Sequence, residues 1–274
     1  MHTFSGGEAE SAKVLLLSGA SEGPVLARAL LDAGFAVSAT VTTEEGKTHL
    51  FGAMQQALTV LVGGFTEASL TDFLAQGEAD LVLDATHPFA VRITRMASAV
   101  CATLHVPYVR YQRPDWEPPE GTVYATSYAE AAALLPTLGT RVMLTIGAKQ
   151  LKHFAGLHDR LTLFARILPA VTSLQQALQA GFPQAHILCL RPPFSRDFNR
   201  SILREYRIDV LLTKASGIEG GVVEKVLAAH DLAITTLMIR RPPEDDLPTI
   251  SSIAAAVQAC QDFLHGARAG QGGA

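Results

Sequence analysis

The segment Val14-Leu-Leu-Leu-Ser-Gly-Ala-Ser-Glu-Gly-Pro24 decides the fold of this chain. Its opening apolar run predicts a strand, Val14–Leu17, that is covered on both faces. Gly19 permits a tight turn after the strand, and Pro24 suits the first turn of a helix. The segment therefore predicts a strand, a glycine turn and a helix whose first backbone N–H groups are free to bind a phosphate.

The same alternation of short apolar strands and helices extends along the chain on both sides of a proline-rich segment, Tyr111–Gly121. Strands that alternate with helices indicate βαβ units and parallel sheets. We predict an α/β fold of two domains, with ligands bound beyond the carboxyl ends of the strands. The predicted strands are Val14–Leu17, Ala36–Val41, Thr59–Val62, Leu81–Leu83, Val106–Arg110, Thr122–Ala125, Val142–Thr145, Thr162–Ala165, His186–Leu190, Val210–Thr213 and Ile234–Met238.

The proline-rich segment is the predicted crossing between the domains. The N-terminal domain is expected at residues 13–113 and the C-terminal domain at residues 114–265, so that a last helix, Ile250–Leu264, falls in the second domain. The ends, residues 1–12 and 266–274, are rich in small and polar residues and are predicted to be disordered. We expect the ligands in a cleft between the two domains.

The composition excludes several classes of protein. The chain has 274 residues and a net charge of −4, which argues against general attraction to nucleic acid. No apolar run reaches the roughly 20 residues of a membrane span, and no export signal precedes the first strand, so we expect a cytoplasmic protein without membrane contact. Cys101 and His105 share a helix face, but without further ligands they indicate core packing, and no metal site is predicted. The oligomeric state is left open.

Arginine accounts for 16 of the 22 basic residues. Its planar guanidinium binds carboxylate or phosphate through two hydrogen bonds. An arginine-rich genome is one explanation of the bias. The other is anion binding, because several arginines come directly after predicted strands, namely Arg110, Arg113, Arg166, Arg191 and Arg240.

The turn after the first strand, Gly19-Ala-Ser-Glu-Gly23, lacks the middle glycine of the G-x-G-x-x-G dinucleotide fingerprint. Two interpretations therefore remain open, a nucleotide site and an ordinary turn. The residues also fit the G-x-S-x-G elbow of hydrolases, but Ser21 has no convincing later Asp and His partners. The candidate cofactor-binding residues of this turn are Gly19, Ala20, Ser21, Glu22 and Gly23.

The segment Asp84-Ala-Thr-His-Pro-Phe-Ala90 is the densest group of polar side chains at a predicted strand end. Asp84 or Thr86 is expected to cap the next helix, with His87 at the helix N-terminus. The positive end of the helix dipole disfavours imidazolium, so His87 is expected to be neutral and available for hydrogen bonds. A simple capping turn is the alternative.

Taken together, these segments resemble the precorrin-6A reductases, including the cobalt-precorrin-6A reductases of cobalamin biosynthesis. Each matching stretch is weak alone, and DATHPFA together with the later TKASG is the most specific combination. The stretches are, in the family's order, LLLSGASEG (15–23), DATHPFA (84–90), YVRYQRP (108–114), LTIGAKQL (144–151), ARILP (165–169), LRPPFS (190–195), LLTKASG (211–217) and IRRP (239–242).

The resemblance implies two Rossmann-like domains that hold NADPH or NADH and a tetrapyrrole substrate, with hydride transfer to one ring double bond. It implies that the proton comes from His87, Lys214 or water. The cofactor-binding set is extended by Thr43, Glu44, Thr86, His87 and Pro88. Because the substrate carries several carboxylates, the residues expected to bind it are Arg110, Arg113, Arg166, Arg191, Lys214, Ser216, Gly217 and Arg240.

The chain departs from the family pattern at two turns. The first turn reads GASEGP, where Thr and Arg are expected in many members, and the second strand is followed by TTEEG. An acidic residue at this second position favours a free ribose hydroxyl over a 2′-phosphate, so Glu44 or Glu45 predicts a preference for NADH.

Two other classes of function remain as alternatives. A nucleotide-sugar transferase also uses two such domains, but it needs a longer chain and an acidic sugar-binding loop. A two-lobed α/β binding or sensor protein for a small anionic ligand is the non-enzyme alternative, although that class is normally exported. Consumption of reduced nucleotide in the presence of a tetrapyrrole separates the enzyme from the sensor.

Overall fold

The structure, a computed structural model, describes residues 11–19, 22–112, 114, 116–243, 247 and 249–271, without the side chains of 219 and 264–271. The chain divides into two compact units, Met1–Arg113 with Glu244–Ala274 and Pro114–Pro243. Each unit contains one six-stranded sheet. Every pairing described in these sheets is parallel, which confirms the predicted α/β class with parallel sheets.

The sheet of unit 1 has the strand order β3-β2-β1-β4-β5-β12. Its strands are β1 (Lys13–Ser18), β2 (Ala36–Val41), β3 (Thr59–Val62), β4 (Leu81–Ala85), β5 (Tyr108–Tyr111) and β12 (Thr249–Ile250). Its α-helices are α1 (Gly23–Asp32), α2 (Glu44–Phe51), α3 (Glu67–Ala75), α4 (Val91–Leu104) and α9 (Ile253–Gln271). This is the 3-2-1-4-5-6 order of dinucleotide-binding sheets, in which the chain reverses direction across the sheet between β1 and β4.

The sheet of unit 2 has the strand order β9-β8-β7-β10-β11-β6. Its strands are β6 (Val123–Ala125), β7 (Arg141–Leu144), β8 (Thr162–Ile167), β9 (Ile187–Cys189), β10 (Val210–Lys214) and β11 (Thr235–Ile239). Its α-helices are α5 (Tyr128–Leu138), α6 (Val171–Gln179), α7 (Arg196–Glu205) and α8 (Val222–Asp231). A 3-10 helix, Ala148–Leu157, follows β7. The order β9-β8-β7-β10-β11 repeats β3-β2-β1-β4-β5, with β6 in the place of β12.

The C-terminal segment belongs to unit 1, and its prediction as part of the second domain was wrong. The chain returns after Pro243, and β12 pairs with β5 through Thr249 and Ile250. On α9, Ala256 and Cys260 lie one helical turn apart and are buried in the core cluster of unit 1. Since α9 extends to Gln271, residues 266–271 of the expected disordered tail are helical, while residues 1–10 and 272–274 lie outside the described residues.

The amino ends of the two sheets are built alike. Asp80 precedes β4, and its Oδ2 accepts a hydrogen bond from the backbone N–H of Lys13 at 2.8 Å. Asp209 precedes β10, and its Oδ2 accepts one from the backbone N–H of Arg141 at 3.0 Å. When the two segments are superimposed on these aspartates, each residue of β4 corresponds to one residue of β10. Among the described residues no helix is long and apolar enough to cross a membrane.

Candidate functional site

The glycine turn of unit 1 brings helix α1 unusually close to strand β1. A Cβ atom on Gly23 would lie 2.0 Å from Ser18 Oγ and 3.3 Å from Phe51 Cζ. A Cβ at that spacing would force Ser18 or the helix to shift, so Gly23 permits the close helix–strand packing that the last glycine of a dinucleotide fingerprint provides. Ser18 Oγ is buried, and it has no hydrogen-bond partner among the described residues. Pro24 lies in the first turn of α1, as expected.

The turn after β1 lies against the loop after β4. A Cβ on Gly19 would be 3.7 Å from His87 N and 3.8 Å from Thr86 Cα. The structure therefore brings together the glycine turn and the DATHPFA segment at the point where the strand order reverses, which is where open α/β sheets bind ligands. Ala20 and Ser21 lie outside the described residues.

A buried ion pair organises the loop after β4. Asp84 is 0% exposed and Arg110 is 1% exposed, and Arg110 Nη1 donates to Asp84 Oδ1 at 3.2 Å. The same nitrogen donates to the backbone oxygens of Asp84 and Thr86, each at 3.1 Å. Asp84 Oδ1 also accepts from the backbone N–H of Thr86 at 2.8 Å. One carboxylate and one guanidinium thus hold the backbone of this loop in a single conformation.

The burial of Arg110 corrects its expected role as a ligand of substrate carboxylates. Its guanidinium faces Asp84 and Thr86 rather than solvent, so it acts as a positioning residue. Tyr108, which the sequence analysis overlooked, donates from its hydroxyl to Asp84 Oδ2 at 2.6 Å. Burial and the neighbouring carboxylate raise the pKa of Tyr108, so this hydroxyl stays protonated as a donor.

The predicted capping role of Asp84 and Thr86 was wrong. Helix α4 begins at Val91 after Ala90, and no side chain caps it. His87 therefore lies in the turn ahead of the helix. Its Nδ1 accepts from the backbone N–H of Phe89 at 3.2 Å, so a neutral ring carries its proton on Nε2. Pro88 beside it is buried.

The end of β2 carries the other residues expected to contact a nucleotide. Thr43 caps α2, because its side chain accepts from the backbone N–H of Gly46 at 3.1 Å. Glu44 and Glu45 form the first turn of that helix and are exposed. In contrast, Glu22 is a buried residue, so its side chain is directed into unit 1.

In unit 2, the most enclosed of the predicted arginines is Arg166 on β8. Its Nη1 donates to Asn199 Oδ1 on α7 at 2.6 Å, and its guanidinium carbon lies 4.8 Å from the ring centre of Phe194. Asn199 is itself held by a bond from its Nδ2 to the Ser195 carbonyl at 2.8 Å. Burial lowers the pKa of Arg166 to about 10, which still leaves it cationic at neutral pH.

The loop after β10 brings together three more predicted residues. Lys214 is half-buried, Ser216 and Gly217 are buried, and the backbone N–H of Ser216 donates to the Lys214 carbonyl at 2.8 Å. Gly217 has a φ of +81°, a conformation that favours glycine. Arg241, which was not predicted, donates from Nε to the Ala215 carbonyl at 3.0 Å and so supports this loop.

The remaining predicted arginines are not brought together. Arg191 follows β9 at one edge of the sheet and Arg240 follows β11 near the other, and both are exposed. Four strand spacings separate β9 from β11, about 19 Å, so the two side chains belong to different parts of the sheet edge. The guanidinium carbon of Arg240 lies 4.0 Å from the ring centre of Tyr124. Arg113 lies outside the described residues.

Sequence reasoning missed polar residues that lie on helices rather than in loops. Asn199 and Lys225 are buried on the apolar faces of α7 and α8. A signal for Lys225 existed, because it shares the helical spacing of Val222, Val226 and Ala229. A polar residue within such a stripe marks either a partnered group or a ligand site.

Comparison with known proteins gives consistent matches over most of the chain. A family model described as precorrin-6x reductase CbiJ/CobK matches residues 13–261. The chain is 35% identical over 256 residues to the cobalt-precorrin-6A reductase of Synechocystis sp., covering 92% of this chain and 97% of that protein. It is 37% identical over 257 residues to the precorrin-6A reductase of Rhodococcus erythropolis, covering 89% and 96%.

A solved structure described as CobK precorrin-6A reductase matches with a TM-score of 0.77 and 27% sequence identity, covering 92% of this chain and 96% of that one. The segments that meet at the reversal point of the first sheet, the glycine turn and DATHPFA, both fall inside the matched region. This chain belongs to the precorrin-6x reductase family.

Proposed function

We propose that this chain reduces one ring double bond of precorrin-6A, or of its cobalt form, with NADH or NADPH as the hydride source. The observation that carries the proposal is the glycine turn of unit 1, which meets a loop locked by a buried ion pair at the reversal point of a dinucleotide-type sheet. Family membership supports the substrate class, and both named relatives above are reductases of this kind.

The residues of unit 1 fit a dinucleotide. Gly19 and Gly23 let the backbone approach closely, and the start of α1 offers unpaired N–H groups to a pyrophosphate. Ser18 Oγ, a buried hydroxyl without a described partner, lies directly beneath that helix start. When bound, the nicotinamide nucleotide supplies the hydride. In this proposal Thr43 and Glu44 contact the ribose at the end of β2.

The loop after β4 has two tasks in this mechanism. Asp84 and Arg110 hold the Thr86 backbone, so the turn that contains Pro88 is fixed and the half-buried His87 is held in position toward the nicotinamide side of the cofactor. As a neutral ring with its proton on Nε2, His87 would donate a hydrogen bond to the substrate; to act as the proton donor it would have to be imidazolium, which would give its Nε2 proton to the ring carbon next to the one that receives the hydride and return to the neutral ring. Lys214 and water are the other candidate proton donors.

Unit 2 supplies the cations that a polycarboxylate substrate needs. Arg166 is held in place by Asn199, and Lys214 is part of a loop supported by Arg241. Preset donors of this kind bind carboxylates at a smaller entropic cost than mobile side chains. In this proposal Arg191 and Arg240 contact carboxylates at separate points of the macrocycle, and Ser216 and Gly217 contribute hydrogen bonds.

The test is oxidation of NADH and of NADPH, followed by absorbance, with purified precorrin-6A in its metal-free and cobalt forms. We expect consumption of one reduced nucleotide per tetrapyrrole, and faster turnover with NADH because Glu44 and Glu45 oppose a 2′-phosphate. A Glu44→Lys variant should shift the ratio of kcat/KM values toward NADPH by about two- to fivefold, the range of an exposed charge pair. Binding of both ligands without any oxidation of the nucleotide would instead indicate a sensor.

A further inference from the structure

Lys225 stands apart from the other lysines of the chain. It lies in the first turn of α8, on the apolar face that also carries Val222 and Val226, and is 8% exposed. The other five lysines are half-buried or exposed. A lysine in such a position normally has an acidic partner, because an unpaired buried ammonium is costly.

The surroundings of Lys225 provide no such partner. Among the described residues it has neither a hydrogen bond nor an ion pair, and its charged neighbours from the sheet are both cations, Arg166 of β8 and Lys214 of β10. Of the acidic residues whose side chains the structure describes, only Glu224, the adjacent residue on its own helix, favours its charge. Burial, with the two cations, lowers the pKa of Lys225 to about 7.

A buried hydroxyl faces the same space. On β8, Phe164 and Arg166 point to one face of the sheet, and Phe164 packs in a cluster with Val222 of α8. Leu211 of β10 is in that cluster too, so Thr213, two residues later, shares the face. Thr213 Oγ1 is buried, and it has no hydrogen-bond partner within the described part of the chain.

We propose that Lys225, together with Arg166 and the Thr213 hydroxyl, forms an anion subsite at the carboxyl end of the second sheet, and that it binds one carboxylate of the substrate. Lys214 contributes its charge from the carboxyl end of β10. This inference rests on the proposed function. It adds a residue that the motif pattern does not contain, since Lys225 lies outside every matching stretch.

The subsite suits an oxyanion and no neutral group. A carboxylate accepts several hydrogen bonds, and Arg166, Lys225 and Thr213 are donors of the types it prefers. A phosphate of the cofactor shares this chemistry, so the test must separate the two sources. The substrate carboxylate is favoured because the glycine turn and helix start suited to phosphate belong to unit 1.

The decisive variant is Lys225→Met, which keeps the length of the side chain and removes its charge. We expect the KM for the tetrapyrrole to rise about 10- to 100-fold, the range of a lost hydrogen bond to a charged group, with kcat and the KM for reduced nucleotide within about twofold. Lys225→Arg should recover most of the loss. Lys152→Met, a change at an exposed lysine of unit 2, is the matched control and should leave all three constants unchanged.

A second measurement separates a binding role from a structural one. In the free enzyme Lys225→Met and Thr213→Val should melt at the same temperature as the parent or higher, because each removes a buried polar group that lacks a partner. Both should lose part of the rise in melting temperature that the tetrapyrrole produces. A purely structural lysine predicts the reverse, a lower melting temperature with an unchanged KM, and that result would overturn the subsite.

The outcomes also distinguish this inference from the proposed function. Quenching of the fluorescence of Trp116 by the tetrapyrrole gives a Kd without any turnover. If the parent protein binds but does not reduce the tetrapyrrole, the function fails, and the Kd of Lys225→Met still decides the subsite. A rise confined to the KM for reduced nucleotide would assign the anion to the cofactor and refute the carboxylate. Absence of tetrapyrrole binding by the parent refutes both.

Discussion

The two sheets are alike at one end and different at the other. At the amino ends, Asp80 and Asp209 make the same hydrogen bond to the neighbouring strand. The likeness stops at the fourth residue of β4 and of β10, where Asp84 corresponds to Thr213. The register partners also differ, since Asp84 pairs with Arg110 on β5, whereas Thr213 pairs with Met238 on β11.

The difference shows how one strand order serves two tasks. In unit 1 the buried charges satisfy each other and fix a loop, which suits a site that must hold a cofactor in one orientation. In unit 2 one buried cation, Lys225, has no acceptor among the described residues, which suits a site completed by an anionic ligand. The amino ends share their hydrogen bonds, and the carboxyl ends, where we propose the ligands bind, are the part that differs.

The largest effect is expected from breaking the ion pair of unit 1. Arg110→Met should lower the free energy of unfolding by about 3–5 kcal/mol, because it leaves the Asp84 carboxylate buried without its cation. The matched change in unit 2 is Met238→Leu at the corresponding register position, which should cost less than about 1.5 kcal/mol. Denaturant unfolding measures both. An Arg110→Met protein as stable as the parent would remove the basis of the comparison.

The second prediction concerns how the stability effect of the buried Lys225 depends on pH. The folded-state pKa of Lys225, about 7, lies below its unfolded value, so between these values the unfolded chain binds the extra proton. The stability of the parent protein relative to Lys225→Met should therefore rise with pH above about 7. At pH 6.5, where both states are protonated, Lys225→Met should be the more stable by about 1–4 kcal/mol.

Thermal unfolding at pH 6.5 and pH 9.5 checks this sign. Arg196 and Arg200 on α7 also lie near α8, but they pair with Asp231 at the other end of that helix. Both arginines are present in the parent and in Lys225→Met, so they do not contribute to the difference between the two. The difference in melting temperature between the parent and Lys225→Met should be smaller at pH 9.5 than at pH 6.5. If the variant's advantage in melting temperature grew at pH 9.5, Lys225 would have a stabilising partner.

The smallest of these effects is expected at the glycine turn. Gly23→Ala should destabilise the protein by about 1–3 kcal/mol through overpacking against Ser18 and should weaken nucleotide binding. Gly52→Ala, where an added Cβ meets nothing within 4 Å, is the control for a glycine of the same unit. Since Ser18 Oγ is the nearest atom, a Ser18→Ala change in the Gly23→Ala protein should recover part of the loss. Calorimetric titration with NADH and thermal unfolding measure the two consequences.

Prediction from the sequence worked where one local signal was enough. Apolar runs located eleven of the twelve strands in the described part of the chain, and Gly19, Pro24 and DATHPFA marked the carboxyl end of the first sheet. It failed for β12, which has two residues and takes its identity from pairing with β5. The helix after it was recognised, but its domain was not, because an amphipathic helix does not specify which core covers its apolar face.

The equivalence of the two units also escaped the sequence. The segments Glu78–His87 and Arg207–Ser216 share an aspartate and an apolar strand, but the residues that follow the strand differ, so the likeness is too short to recognise in the sequence. Lys225 shows the same limit of a local pattern. The apolar stripe of α8 that contains Lys225 is recognisable in the sequence, but the neighbouring cations come from β8 and β10, which are distant along the chain.

The amino-acid sequence alone determined the α/β class and the segments at the strand ends, because these depend on local apolar periodicity and on short runs of turn residues. The family followed from the resemblance of those segments to the precorrin-6A reductases. Only the tertiary structure decided that Arg110 is a buried brace, that α9 completes unit 1, and that Lys225 lies among cations. The physical reason is that burial and charge pairing depend on residues brought together from distant strands. The sequence shows which residues are charged, and the packing decides which of those charges are buried and which have an acceptor.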